Sequence, residues 1–150
     1  MFRKVAVSST RLIAFLLIFA LTFPICASAA EVEPIQPRAS AYLDNYGAYV
    51  YLPGNGEVRV YFNVEGTRYM DELGALMIRI YESTDGLSWT WKKTFTHDST
   101  AGMLSYNDDY HSGYVSYNGV AGRYYKAYVC IWGGKDGQGD TRYFWTSAKQ

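Results

Sequence analysis

The chain has 150 residues with equal numbers of basic and acidic side chains, 14 of each, and aromatic residues make up 17% of it. This aromatic and apolar content excludes an intrinsically disordered protein, because such a chain can bury a core. The near-neutral charge excludes general nucleic-acid binding, which depends on a surplus of basic residues.

The first 30 residues have the three parts of a secretory signal peptide. Three basic residues lie in the first eleven positions, an apolar run follows at 12–25, and small residues precede Ala30. The apolar run is shorter than the ~20 residues that a membrane-spanning helix needs. We therefore predict a secreted protein, cleaved after Ala29 or Ala30, with no membrane anchor afterwards.

Removal of this segment leaves 120 residues, with 11 basic and 14 acidic side chains. This length suits one domain with its own core. All 15 tyrosines and all four tryptophans lie in this part. Cys130 is its one cysteine, so no intrachain disulfide can form, and we expect the thiol to be buried.

Turn signals divide the rest of the chain into short segments. Residues 31–41 contain Pro34 and Pro37 and little hydrophobic periodicity, which indicates an extended leader. From 42 to 147, short apolar runs alternate with turns, which is typical of an all-β sandwich of seven or eight strands.

In the first half, strands are predicted at 42–52, 58–65, 76–81 and 87–95. The second has the clearest pattern, because apolar residues occupy every other position from Val58 to Val64 and would share one face. Gly66 is predicted to end this strand. Thr84-Asp85-Gly86 is predicted to form a tight turn before the fourth strand.

In the second half, strands are predicted at 114–117, 124–132 and 141–146. Residues 96–112 are interpreted as a long polar stretch with one short edge segment at 102–106. Asn118-Gly119 is a strong turn signal. Residues 133–140 are interpreted as a wide glycine-rich loop.

Residues 120–129, VAGRYYKAYV, resemble the start of the sixth strand in fibronectin type III and immunoglobulin-like sandwiches. The resemblance implies that Tyr125 is a corner tyrosine, with its ring in the core and its hydroxyl bonded to nearby backbone. It would turn Ala127, Val129 and Ile131 inward. The residues that would then face outward are Tyr124, Lys126, Tyr128, Cys130 and Trp132.

Segments 35–40, 70–75 and 133–142 are similar to a family of small exported proteins of unknown function from Gram-positive bacteria. This likeness spans residues 35–146. It implies export and a single domain, and it implies no particular activity.

Residues 81–89 are similar to a hairpin of discoidin-type modules and to the aspartate-box hairpins of sialidase propellers, although one residue of the latter spacing is missing. The Ser-x-Asp-Gly pattern forms a turn bonded by its own side chains, with a tryptophan after it. We interpret it as a folding element.

Catalytic groups are scarce. Cys130 with His97 or His111 could form a nucleophile and base, but Cys130 lies within a predicted strand and His111 in a predicted loop. Acid pairs for glycoside hydrolysis would need a cleft, which a small sandwich rarely offers. The acidic residues in or beside predicted turns are Glu65, Asp71, Glu72, Glu82, Asp85, Asp108 and Asp109. We predict that the protein is not an enzyme and needs no cofactor.

Asp136 and Asp140 are weak candidate ligands for Ca²⁺. Their loop offers two carboxylates and glycine carbonyl groups, which suit this ion. It lacks the distal glutamate of the full calcium-loop pattern, so we favour a plain hairpin loop.

The surplus of aromatic rings is the most informative feature. The candidate binding residues are Tyr124, Tyr128 and Trp132, joined from neighbouring strands by Trp91, Tyr143 and Trp145. Exposed rings either pair across strands and stabilise the sheet, or contact a ligand. We predict a monomeric exported module that binds a protein partner or has a structural role at the cell surface or in the medium. The alternative is a carbohydrate-binding module that uses this aromatic face.

Overall fold

A computed structural model describes residues 40–150, and its regular elements are all β-strands. The predicted all-β class is therefore confirmed. The six strands are β1 (Leu43–Gly54), β2 (Glu57–Ser83), β3 (Thr90–Thr96), β4 (Leu104–Asn118), β5 (Tyr124–Lys135) and β6 (Gln138–Trp145). The predicted signal peptide at 1–30, and the leader up to residue 39, lie outside the described residues.

The architecture is organised by β2, a single strand of 27 residues. Its first half lies between β1 and β4, and its second half pairs with β5 on one side and with β3 on the other. β6 completes the antiparallel sheet by pairing with β5. The prediction that Gly66 ends a strand was wrong, because the register with β4 shifts between Glu65 and Met70 and β2 continues past this irregularity. Two predicted strands are therefore one, and the described residues contain six strands where seven or eight were predicted.

The core lies inside the curl of this sheet. Val58, Val60 and Val64 on the first half of β2 are completely buried, as the alternation predicts. Ile78 and Ile80 on the second half are equally buried. Burial of each such side chain stabilises the fold by about 1.5–3 kcal/mol.

The ends of the sheet meet across this core. Tyr46 of β1 packs on Phe144 of β6 with ring centroids 5.5 Å apart. Ser40 also hydrogen-bonds Asp140 there, so the strands that are far apart in the sheet order are close in space.

β4 corrects the prediction of a polar stretch at 96–112. It is a continuous strand of 15 residues, and it pairs along β2. Among residues 40–150, no other strand pairs with β4, so most of its side chains meet water. Polar residues are tolerated on such an edge strand. β4 therefore lacks the alternating apolar residues from which a strand is predicted.

The β5–β6 hairpin corrects the predicted wide loop at 133–140. Both strands extend into that segment, and only Asp136 and Gly137 form the turn. Their φ angles of 53° and 74° are those of a type I′ turn, in which Asp-Gly is a favoured pair. The glycines at 133, 134 and 139 are therefore strand residues with packing roles.

The structure places Tyr125 in the core, with 1% of the residue exposed. Its hydroxyl oxygen accepts a hydrogen bond from the Val120 N–H at 2.7 Å, and the hydroxyl donates to Oε2 of Glu82 at 2.7 Å. The other carboxylate oxygen of Glu82 pairs with Lys92 at 3.1 Å. Burial opposes ionisation of Glu82, but the Tyr125 hydrogen bond and the Lys92 charge outweigh it and lower its pKa.

We expect Tyr125→Phe to lower the free energy of unfolding by about 1–3 kcal/mol, because it leaves the Val120 N–H unpaired and removes a donor from Glu82. Urea unfolding measures this loss. Tyr124→Phe is the matched control, since the Tyr124 hydroxyl makes no hydrogen bond within the described residues, and it should change stability little. Equal effects of the two substitutions would contradict this role for Tyr125.

Candidate functional site

The outer surface of β3, β2, β5 and β6 carries five neighbouring aromatic side chains, which we name the aromatic face. Its members are Tyr81, Trp91, Tyr128, Tyr143 and Trp145. The strand register brings them together, because Tyr81 lies opposite Trp91 and Tyr128 lies opposite Trp145.

Trp145 is the centre of the aromatic face. Its ring centroid lies 5.0 Å from that of Tyr81 and 4.9 Å from that of Tyr128. Tyr128 also stacks on Tyr143 at 5.9 Å. Each such pair adds about 0.5–1.5 kcal/mol beyond the area it buries, so the rings hold one another in place.

Two cationic side chains lie within the aromatic face. Lys126 Nζ is 4.4 Å from the ring centroids of both Trp89 and Trp145, a double cation–π contact. Arg79 lies between Thr94 and Tyr128 in the register and is exposed. Trp91 and Tyr143 expose 57% and 59% of their surface, so much of the face is open to solvent.

Four of the six predicted binding residues lie on this face: Trp91, Tyr128, Tyr143 and Trp145. The structure places Tyr124 at the start of β5 and Trp132 nearer its other end, each four residues from Tyr128. Tyr124 lies beside Gly86 of the turn that precedes β3. The alternation in the sequence predicts which residues share a side of the strand. It does not predict which of them lie next to the rings of neighbouring strands.

Trp132 forms a separate feature, which we name the indole platform. Its indole lies against Gly134 and Gly139, which are opposite each other on β5 and β6. The indole Nε1–H donates to Oε2 of Glu72 at 3.2 Å. A cavity of about 360 Å³ lies beside the ring, and its polar lining includes Asp71, Glu72, Lys135 and Gln138.

A second group of rings lies on the outer surface of β1, β2 and β4, and we name it the tyrosine row. Tyr49 stacks on Tyr61 at 5.2 Å, and Tyr61 contacts Tyr114 at the same distance. The sequence patterns did not predict this row. A sequence signal for it was available, because Tyr49, Tyr51 and Tyr61 are odd-numbered residues on either side of one turn and could share a face of the sheet.

The possible nucleophile and bases are not brought together. Cys130 is buried beside Tyr143, and burial raises the pKa of its thiol although the Tyr143 hydrogen bond acts in the opposite direction. His97 lies by Asp98, and His111 is bonded to the carbonyl of Gly102. No hydrogen bond connects either histidine to Cys130 in the described part of the chain.

Several acidic side chains are already paired with cations. Glu57 contacts Arg59 at 2.7 Å, and Asp71 contacts Lys135 at 2.6 Å. The weak calcium candidates are separated in role: Asp136 forms the hairpin turn, and Asp140 bonds Ser40 and pairs with Arg142. Residues 40–150 contain no group of three or more histidine, cysteine, aspartate or glutamate side chains that could hold a metal ion.

The turn before β3 is bonded by its own side chains, as the sequence predicts. The Asp85 carboxylate accepts the backbone N–H groups of Ser88 and Leu87, each at 2.9 Å, and the Ser83 hydroxyl at 2.8 Å. These bonds favour the ionised carboxylate and lower the pKa of Asp85 to about 2. The turn serves to join β2 to β3 beside the aromatic face.

We expect the free energy of unfolding to fall as the pH decreases from about 5 towards 2. The carboxyl of Asp85 has a lower pKa in the folded chain than its ordinary 3.8, so its contribution is present above that value and is lost as the pH falls towards 2. Asp85→Asn should flatten this acid dependence, measured as the urea midpoint against pH. Asp109→Asn removes an equal charge whose carboxylate makes none of these turn bonds, and it should preserve the slope; equal slopes in wild type and Asp85→Asn would contradict the assignment.

No family model and no curated protein matches this chain. Among solved structures, the chain is similar to a crystal structure of a protein from Archaeoglobus fulgidus, with a TM-score of 0.34 and 6% sequence identity. The match covers 72% of this chain and 96% of the other. A likeness at this level supports no conclusion about function. A search of residues 40–150 also finds no helix with the length and apolarity needed to cross a membrane.

Proposed function

We propose that this protein is an exported, non-catalytic binding module, and that its aromatic face contacts a partner protein. The observation that carries the proposal is the cluster of half-exposed rings around Trp145 with Lys126 and Arg79 among them. The proposal includes an immunoglobulin-like sandwich, supported by the buried corner position of Tyr125.

Composition favours a protein as the partner. Tryptophan, tyrosine and arginine are the residues that most often dominate the free energy of protein binding. The aromatic face combines Trp91, Trp145 and Arg79 on one sheet surface. Its local cavity, beside Tyr81 and Trp91, has only about 260 Å³, which favours a broad contact over a buried small molecule.

The order of the rings also favours binding. A side chain that is immobilised on binding costs about 0.5–1.5 kcal/mol of lost rotamer freedom. Tyr128 and Trp145 are held by each other, and Lys126 is held between Trp89 and Trp145 before any partner arrives. A partner would therefore meet a surface that is already ordered.

Within residues 40–150 the candidate nucleophile and bases lie apart, which supports the non-catalytic part of the proposal. The Cys130 thiol is buried with a raised pKa, and a protonated, inaccessible thiol is a poor nucleophile. The signal-like segment at 1–30 supports export.

The test is capture from the culture medium of the producing organism with the immobilised protein, followed by purification of the captured partner and calorimetry. We expect Trp145→Ala to weaken the measured affinity by about tenfold or more, since central aromatic residues of an interface contribute ~2 kcal/mol. Tyr110→Ala, at an exposed tyrosine of β4 outside the aromatic face, is the matched control and should leave the affinity unchanged.

An affinity that is insensitive to Trp145→Ala would overturn the assignment of the face. Turnover of a glycan, peptide or ester substrate, abolished by replacement of one acidic or histidine residue, would overturn the non-catalytic assignment.

A further inference from the structure

We infer that the indole platform of Trp132 is a separate binding site for a neutral sugar ring, distinct from the protein contact proposed for the aromatic face. Trp132 lies four residues from Tyr128, about 13 Å along β5 at ~3.3 Å per residue. The two sites can therefore be removed independently.

The support beneath the ring is the first argument. A Cβ atom on Gly134 would lie 2.6 Å from Cζ2 of Trp132, and its three nearest atoms would all belong to this indole. A Cβ on Gly139 would also meet the ring. Because neither glycine has a Cβ, the edge of the indole from Nε1 to Cη2 lies close against the backbone at both positions, and the ring also lines the cavity.

The hydrogen bond from Nε1 to Glu72 is the second argument. It restricts the rotation of the indole, and the close approach to Gly134 and Gly139 restricts its position, so the ring is ordered before a ligand binds. The face of an aromatic ring carries partial negative charge and attracts the C–H groups of a flat sugar face. A ring held in this way meets a ligand without further ordering.

The rim of the cavity is the third argument. Glu72 and Asp71 offer carboxylate oxygens, Lys135 offers an ammonium group, and Gln138 offers an amide, all lining the same cavity of about 360 Å³. Donors and acceptors around one apolar surface match the hydroxyl groups around the apolar face of a pyranose. The volume lies within the range of small-ligand sites.

Charge narrows the ligand class. The lining has the two carboxylates of Asp71 and Glu72 against the single ammonium group of Lys135, which already pairs with Asp71. An acidic sugar would meet this surplus of negative charge, so the site favours neutral hexoses over uronic acids.

The experiment screens the full domain against immobilised neutral and uronate-containing polysaccharides, followed by calorimetry with a soluble oligosaccharide of the best ligand. We expect binding to neutral glycans and at least about tenfold weaker affinity after Trp132→Ala, as for other central aromatic contacts. Gly134→Ala removes no binding group, but its Cβ would displace the ring, and it should also weaken binding several-fold.

Trp145→Ala is the matched control, because it removes a tryptophan of the aromatic face and should preserve glycan affinity. A cooperative unfolding transition in each variant, with the folded state still populated under the assay conditions, excludes a general loss of structure. The inference is overturned by a lack of binding to every neutral glycan, by binding that survives Trp132→Ala, or by preference for uronates. Loss of partner-protein capture in Trp145→Ala with intact glycan binding separates the two proposals.

Discussion

The continuity of β2 is the constraint on which the rest of the fold depends. Its 27 residues supply the central strand to both halves of the sheet, and four of the other five strands pair with it directly. Neither half has a complete core without it, because its two halves carry facing buried residues such as Val60 and Ile80. Unfolding of either half would therefore disrupt the other, which favours one cooperative unit.

The same strand determines where the outer rings lie. Successive residues alternate between the core and the solvent. The burial of Ile78 and Ile80 therefore turns Arg79 and Tyr81 outward, in the part of β2 that lies between β3 and β5. The first half of β2 does the same for Tyr61, the central ring of the tyrosine row. The outer aromatic side chains therefore form two groups, the aromatic face and the tyrosine row. The indole platform of Trp132 is separate from both.

The all-β class could be predicted from the sequence. The core-facing side of the second predicted strand could be predicted too, because strict alternation from Val58 to Val64 indicates a strand with one buried face. It did not reveal β4, because an edge strand needs no apolar face. Asp136-Gly137 is a typical hairpin turn sequence. The glycines around it led instead to the prediction of a wide loop at 133–140. The orientation of Trp132 could not be predicted, because it depends on Gly139, which reaches Gly134 only through the strand register.

The polar character of β4 has a consequence for behaviour at high concentration. Its outer edge leaves backbone N–H and C=O groups without a neighbouring strand among residues 40–150, and such an edge can recruit another copy of the same chain into a growing sheet. Asp108 and Asp109 place charge and strong hydration along it. Pairing of a second molecule with this edge would bury these groups at a cost in free energy. The polar residues of β4 therefore disfavour aggregation through this edge.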